Sequence, residues 1–164
     1  MKGKGNMKKI LVVGSLNMDM VLSVDNHPVP GETIIGDGIT YHPGGKGANQ
    51  AYAVGKLGGD VRIIGCVGWD NNGMILTENL AQAGVDTTAI NRMPEAPTGM
   101  AIIDVDRKGD NSIIVISGAN ACLTPDLLRK QKASVEWSDF IMTQLETPID
   151  TVLELARSEE HTSE

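Results

Sequence analysis

Hydrophobic and polar positions along this chain fall into short blocks of two kinds. Lys8 to Gly14 is, after its two lysines, a short continuous apolar run ending in glycine, and Val61 to Val67 is a second run, apolar but for Arg62. That is the pattern of strands buried on both faces of a parallel sheet. Met20 to Val24 and Thr33 to Tyr41 alternate more and are separated by Pro28-Val29-Pro30-Gly31. They predict an antiparallel, partly exposed pair. Thr98 to Ser117 reads as a hairpin that turns at Asp106-Arg107-Lys108-Gly109-Asp110. Asp139 to Leu145 is a further strand.

Helical signals fill the intervals. A glycine-rich turn at Gly44 opens a small-residue helix that Gly58-Gly59 closes, and Asn71 to Ala83 is amphipathic and stopped by Gly84. Thr124-Pro125 and Thr147-Pro148 each start a helix, with threonine as cap and proline at the first helical position. Strand and helix alternate, with two antiparallel insertions at about 18–42 and 98–117. The expected architecture is α/β, with a mostly parallel central sheet and a small β-sheet lid built from the insertions.

Composition narrows the partners. The 164 residues carry a net charge of −7, which excludes nucleic acid or an anionic membrane as the principal partner. No apolar run approaches the length of a membrane span, and the basic start Met1 to Met7 lacks the apolar stretch of a signal peptide. Residues 1–6 are expected to be a mobile extension before a start at Met7, and the protein to be cytoplasmic. Cys66 and Cys122 read as free thiols. His27, His42 and His161 show no metal-ligand spacing, so no metal ligands are assigned.

In open α/β sheets ligands bind beyond the carboxyl ends of the strands. Asn17 and Asp19 follow the first strand and Glu146 follows the last. The turn from Gly44 to Asn49 opens a helix whose first backbone N–H groups are expected to face a ligand oxygen. Two carboxylates, amide groups, Lys46 and backbone donors at one sheet edge suit a polyhydroxylated ligand. Taken singly, Asp19 reads equally as a turn cap, Glu146 as the cap of the next helix and Lys46 as a surface charge. Their convergence is what favours a site. The turn is not a triphosphate loop, because Gly47 rather than Ser or Thr follows Lys46, and it lacks the third glycine of a dinucleotide fingerprint, having Gln50 there.

Five segments carry a resemblance. Gly14-Ser15-Leu16-Asn17-Met18-Asp19, Pro30-Gly31-Glu32-Thr33, Gly44-Gly45-Lys46-Gly47-Ala48-Asn49-Gln50-Ala51, Gly118-Ala119-Asn120 and Gln144-Leu145-Glu146-Thr147-Pro148 resemble, in order and spacing, the ribokinase-type PfkB carbohydrate kinases. The resemblance covers roughly residues 8–156. It implies a three-layer ribokinase-like fold and, for the parent protein, ATP-dependent phosphorylation of D-ribose to ribose 5-phosphate, a phosphotransfer to an alcohol group. Deoxyribose, fructose or a nucleoside are the alternative substrates, and a non-catalytic sugar-binding remnant is the alternative outside enzymes.

Carried over by position, the resemblance makes Asn17, Met18, Asp19, Gly45, Lys46, Gly47, Ala48, Asn49 and Glu146 substrate-binding. Ala101 and Ile103 become apolar contacts of a lid that also pairs subunits into a homodimer. Such kinases are about twice this long. Their catalytic aspartate, in a Gly-Ala-Gly-Asp run, and their sites for ATP, Mg2+ and K+ lie in the second half, so no catalytic residue is assigned here. The chain is therefore expected to be an N-terminal part, inactive alone. Arg157 to Glu164 also match the translation of a common sequencing-adapter oligonucleotide and are expected to be foreign to the fold.

Overall fold

The computed structural model describes residues 7–160, with side chains to Ser158. The expectations for residues 1–6 and for the tail beyond Glu160 lie outside the described residues.

The first sheet is wholly parallel. Its strands β1 (Lys9–Val13), β4 (Asp60–Gly68), β5 (Ile90–Met93) and β8 (Phe140–Thr143) stand in the order β5-β4-β1-β8. The pleat sends successive residues to opposite faces. Val12 and Ile63 pack with Leu76 and Leu80 under α1 (Lys46–Lys56) and α2 (Asn71–Gln82). Leu11, Val13 and Ile64 pack with Leu123, Leu128 and Leu155 under α3 (Pro125–Lys130), α4 (Lys132–Trp137) and α5 (Ile149–Glu160). Three layers result, with strands apolar on both sides as the apolar runs require.

The second sheet is mixed. It holds β2 (Asn17–Ser23), β3 (Gly38–Gly44), β6 (Gly99–Val105) and β7 (Asn111–Ile116) in the order β3-β2-β6-β7. The hairpin pairs β6 with β7 and the earlier insertion pairs β2 with β3, both antiparallel, while β2 and β6 join the two in parallel. Pro43 sits in the edge strand β3, where a missing N–H is tolerated.

Several boundaries depart from expectation. Thr33 to Asp37 is irregular rather than strand, and Ile35 is 92% exposed. Ile35 is left uncovered and Ile34 only half-buried, so alternation alone does not make a strand. β5 was not foreseen, because Ile-Asn-Arg-Met is short and half polar. Gln131 divides the helix that begins at Thr124 into α3 and α4. Thr124 caps α3 through Leu127 N–H as foreseen. Thr147 caps nothing: its buried Oγ1 has no partner, and the Pro148 carbonyl accepts from the Thr151 and Val152 N–H groups of α5. Helix α5 continues through Arg157 to Glu160, the start of the segment expected to be foreign. Both cysteines are free. Among the described residues no helix is long and apolar enough to cross a membrane.

Candidate functional site

The link Gly14–Leu16 carries the chain from the carboxyl end of β1 straight into β2. The pleat of β2 then places Asn17 and Asp19 on one face and Met18 on the other. Register extends the first face across the second sheet. Asp19 lies beside Ala101, which lies beside Val115, and Ile103 lies beside Ile113. This face looks onto the start of α1 and encloses a cavity of about 170 Å³. Its polar lining is Asn17, Asp19, Lys46, Asn49 and Glu146; its apolar lining is Ala101, Ile103, Ile113 and Val115, with Gly45 at the turn.

Met18, Gly47 and Ala48, expected among the binding residues, stand behind this cavity. Met18 is 3% exposed and packs in the core with Leu16 and Ala48. Ala48 lines a separate cavity of about 250 Å³ with His42, Tyr52 and Leu80, and Asn49 borders both. Gly47 is a packing residue. A Cβ there would stand 2.7 Å from the Gly14 carbonyl carbon and the Ser15 nitrogen. Gly45 has φ of 93°, and a Cβ there would stand 2.7 Å from the Asn17 nitrogen. Glycine is needed at both positions because the turn sits directly on the backbone between β1 and β2.

The N–H groups opening α1 are taken by the protein itself, which corrects the expectation that they face a ligand. Lys46 N–H donates to Glu146 Oε2 at 3.3 Å, Gly47 N–H to Ser15 Oγ at 3.4 Å, and Ala48 N–H to the Ser15 carbonyl at 2.9 Å. Glu146 thus caps α1, from a hundred residues away, rather than the helix that follows it in sequence. The positive end of α1 and the carboxylate reinforce one another. Ser15 Oγ donates to Glu146 Oε2 at 2.7 Å, and the Lys46 ammonium bonds Oε1.

The two carboxylates of the cavity are driven apart. Burial pushes the Glu146 carboxyl up, but the Lys46 ammonium, the Ser15 hydroxyl and the Lys46 N–H together hold it below its usual range. Burial pushes the Asp19 carboxyl above its usual range, and the Glu146 charge adds to that; His42 opposes both. Glu146 is a fixed, paired anion, whereas Asp19 is an acceptor without a cationic partner in hydrogen-bonding contact. A ligand hydroxyl that donates to Asp19 supplies the missing stabilisation.

Sequence reasoning missed four residues here. Ile113 and Val115 line the cavity, but only the β6–β7 register reveals which face of β7 turns inward. Ser15 ties Glu146 to the turn. Asn120, 2% exposed in the 3-10 turn Gly118–Cys122, bonds Leu16 and Asn17. Its signal was its place in Gly118-Ala119-Asn120. Among the described residues no group of three or more His, Cys, Asp or Glu is placed to hold a metal ion.

Comparison with known proteins adds lineage to this geometry. Residues 7–161 match the family described as pfkB family carbohydrate kinase. A ribokinase of Haemophilus influenzae is 44% identical over 145 residues, covering 88% of this chain and 47% of that protein. The crystal structure of ribokinase from Thermotoga maritima matches with a TM-score of 0.84 and 42% identity, covering 92% of this chain and 49% of that one. The Arabidopsis thaliana ribokinase structure, a complex with ribose and ATP, matches with a TM-score of 0.81 and 29% identity over 94% of this chain and 52% of that one. The chain spans about half the length of the curated relatives it matches.

Proposed function

We propose, starting from the fact that the chain belongs to the pfkB family of carbohydrate kinases, that the cavity between β2, β6, β7 and α1 is the sugar site of a ribose 5-phosphorylating enzyme. The observation that carries the reading is the mixed lining. Asp19, without a hydrogen-bond partner among the described residues, shares one cavity with the amides of Asn17 and Asn49, with Lys46, and with the apolar Ala101, Ile103, Ile113 and Val115. A sugar presents both kinds of surface: hydroxyls that donate and accept hydrogen bonds, and ring C–H groups that are apolar.

Asp19 accepts hydrogen bonds from two hydroxyls. Asn17, Asn49 and Lys46 donate to sugar oxygens, and the apolar strands cover the ring. Ribose is favoured by the ribokinase relatives and by the ribose held in the Arabidopsis thaliana structure. A nucleoside fits less well, since the cavity lining has no aromatic residue on which to stack a base.

No described cluster is placed to hold a metal, and the N–H groups at the start of α1 are already bonded within the chain. ATP supplies the phosphoryl group in such kinases, and no residue role here is routed through it, Mg2+ or K+. The 164 residues contain no Gly-Ala-Gly-Asp run. By the family resemblance the positioned base that phosphoryl transfer requires stands in such a run, so none is assigned among these residues. The chain alone binds but does not phosphorylate; ribose-dependent ATP turnover by the purified 164-residue chain overturns that. Homodimerisation through the lid has support in the outer face of β7, where Ile114 and Ile116 are 63% and 46% exposed.

The test is kinetic, on the full-length protein. Asp19→Ala should lower kcat/KM for D-ribose by about 2–4 kcal/mol, roughly 30- to 1000-fold. An unchanged constant removes Asp19 from the site. A higher wild-type constant for fructose or deoxyribose than for ribose replaces the substrate.

A further inference from the structure

Three hydrogen bonds around Asn120 determine which end of the Asn17 amide the cavity receives. Leu16 N–H donates to Asn120 Oδ1 at 2.9 Å, and Asn120 Nδ2 donates to the Leu16 carbonyl at 3.1 Å. A backbone N–H can meet only an acceptor and a carbonyl only a donor. Both ends of the Asn120 amide are therefore fixed by the backbone of one residue. The second Nδ2 hydrogen points to Asn17 at 2.7 Å and requires an acceptor there, so the near atom of Asn17 is Oδ1. Its Nδ2 is left as the group that can face the cavity Asn17 lines, and among the described residues it has no hydrogen-bond partner.

Packing supports the same arrangement. Gly99 is the β6 partner of Asn17, and a Cβ there would stand 2.3 Å from Asn120 Nδ2 and 2.4 Å from Asn17 Oδ1. The amide pair occupies the space a side chain at position 99 would fill. Asn120 itself lies just beyond the end of β7, so it joins the lid hairpin to the link between the two sheets.

We propose that Asn120 is a positioning residue that locks the Asn17 amide with its NH2 toward the cavity, so that Asn17 offers a sugar only a donor beside the acceptor-only Asp19. The proposal rests on the sugar reading of this cavity. It divides the wall into a donor position and an acceptor position, which a single ring oxygen and hydroxyl pair can satisfy together. Asn120 is buried and does not line the cavity. Its effect passes through Asn17, and removing its Nδ2 hydrogens frees Asn17 to turn over.

The experiment is side-chain amide NMR on the full-length, 15N-labelled protein, with the two NH2 pairs assigned by their disappearance in Asn17→Asp and Asn120→Asp. Expected is an Asn120 NH2 pair that is slow to exchange with solvent and unmoved by D-ribose. The Asn17 pair should exchange quickly and shift on saturation. In Asn120→Asp the protection should transfer to the Asn17 pair, and ribose Kd should rise about tenfold or more. A residue serving only to stabilise the fold would not transfer protection. Protection of the Asn17 pair in the unaltered protein overturns the lock, and that measurement needs no variant to fold. If ribose moves no resonance while the exchange pattern is as described, the sugar reading fails and the lock stands.

Discussion

In the parallel sheet Leu11, Val12 and Ile63 have no solvent exposure, whereas every residue of β7 in the second sheet is exposed. Both sheets are rich in Val and Ile. The difference is what lies across from them: helices cover the first sheet on both faces, whereas the second has a cavity on one face and, on the other, packs into the core at Met18 but leaves β7 in solvent. Apolar character thus serves two ends. In the first sheet it drives folding through removal from water. In the second, ladder pairing carries the strands and apolar side chains remain available to a ligand or a second subunit.

Variants of the full-length protein can break or sharpen that contrast. Ile63→Ala should cost about 2–5 kcal/mol of stability by urea unfolding, since it opens a cavity between layers. Gly99→Ala, at the seam of the two sheets, should cost about 1–3 kcal/mol from forced overpacking and weaken ribose binding as well. Ile114→Thr, on the outer face of β7, should stay within about 0.5 kcal/mol when unfolding is measured at monomeric dilution. A large loss there would mean that the second sheet is covered after all.

Acid sharpens the contrast by separating the two carboxylates. If the proposed site is right, Asp19 binds as the anion; its value lies above the ordinary 3.8, so ribose affinity should fall as pH drops through that raised value. Glu146 has a value below the ordinary 4.5. Its stabilisation of the glycine-rich turn is therefore complete above 4.5 and is lost only as pH falls through the lowered value. Ribose titrations alongside circular dichroism should show affinity lost before structure. Simultaneous loss would mean that one coupled event governs both.

How far the sequence carries the reader follows the same divide. β1, β4, α1, α2 and the hairpin were legible because each is written in local periodicity or punctuation. β5 was not, because its strand character comes from the edge of β4 rather than from Ile-Asn-Arg-Met. Asn17, Asp19, Lys46 and Glu146 were legible as chemistry and as a family pattern. The role of Glu146 as the cap of α1 was hidden, because its partners are a hundred residues away. Met18 and Ala48 were carried in by their neighbours in the motif, and the pleat and helix turn them into the core. Asn120 was visible as a letter in a motif, but its task depends on the backbone of Leu16.

The pairing of Lys46 with Glu146 has a consequence for which molecules this cavity tolerates. Asp19 and Glu146 against Lys46 leave the lining with one surplus negative charge. A neutral polyol enters without opposing a field, while an anion of the same shape meets repulsion that grows as water is displaced. A lining with that surplus discriminates between two occupants of one shape by charge alone, favouring the neutral one.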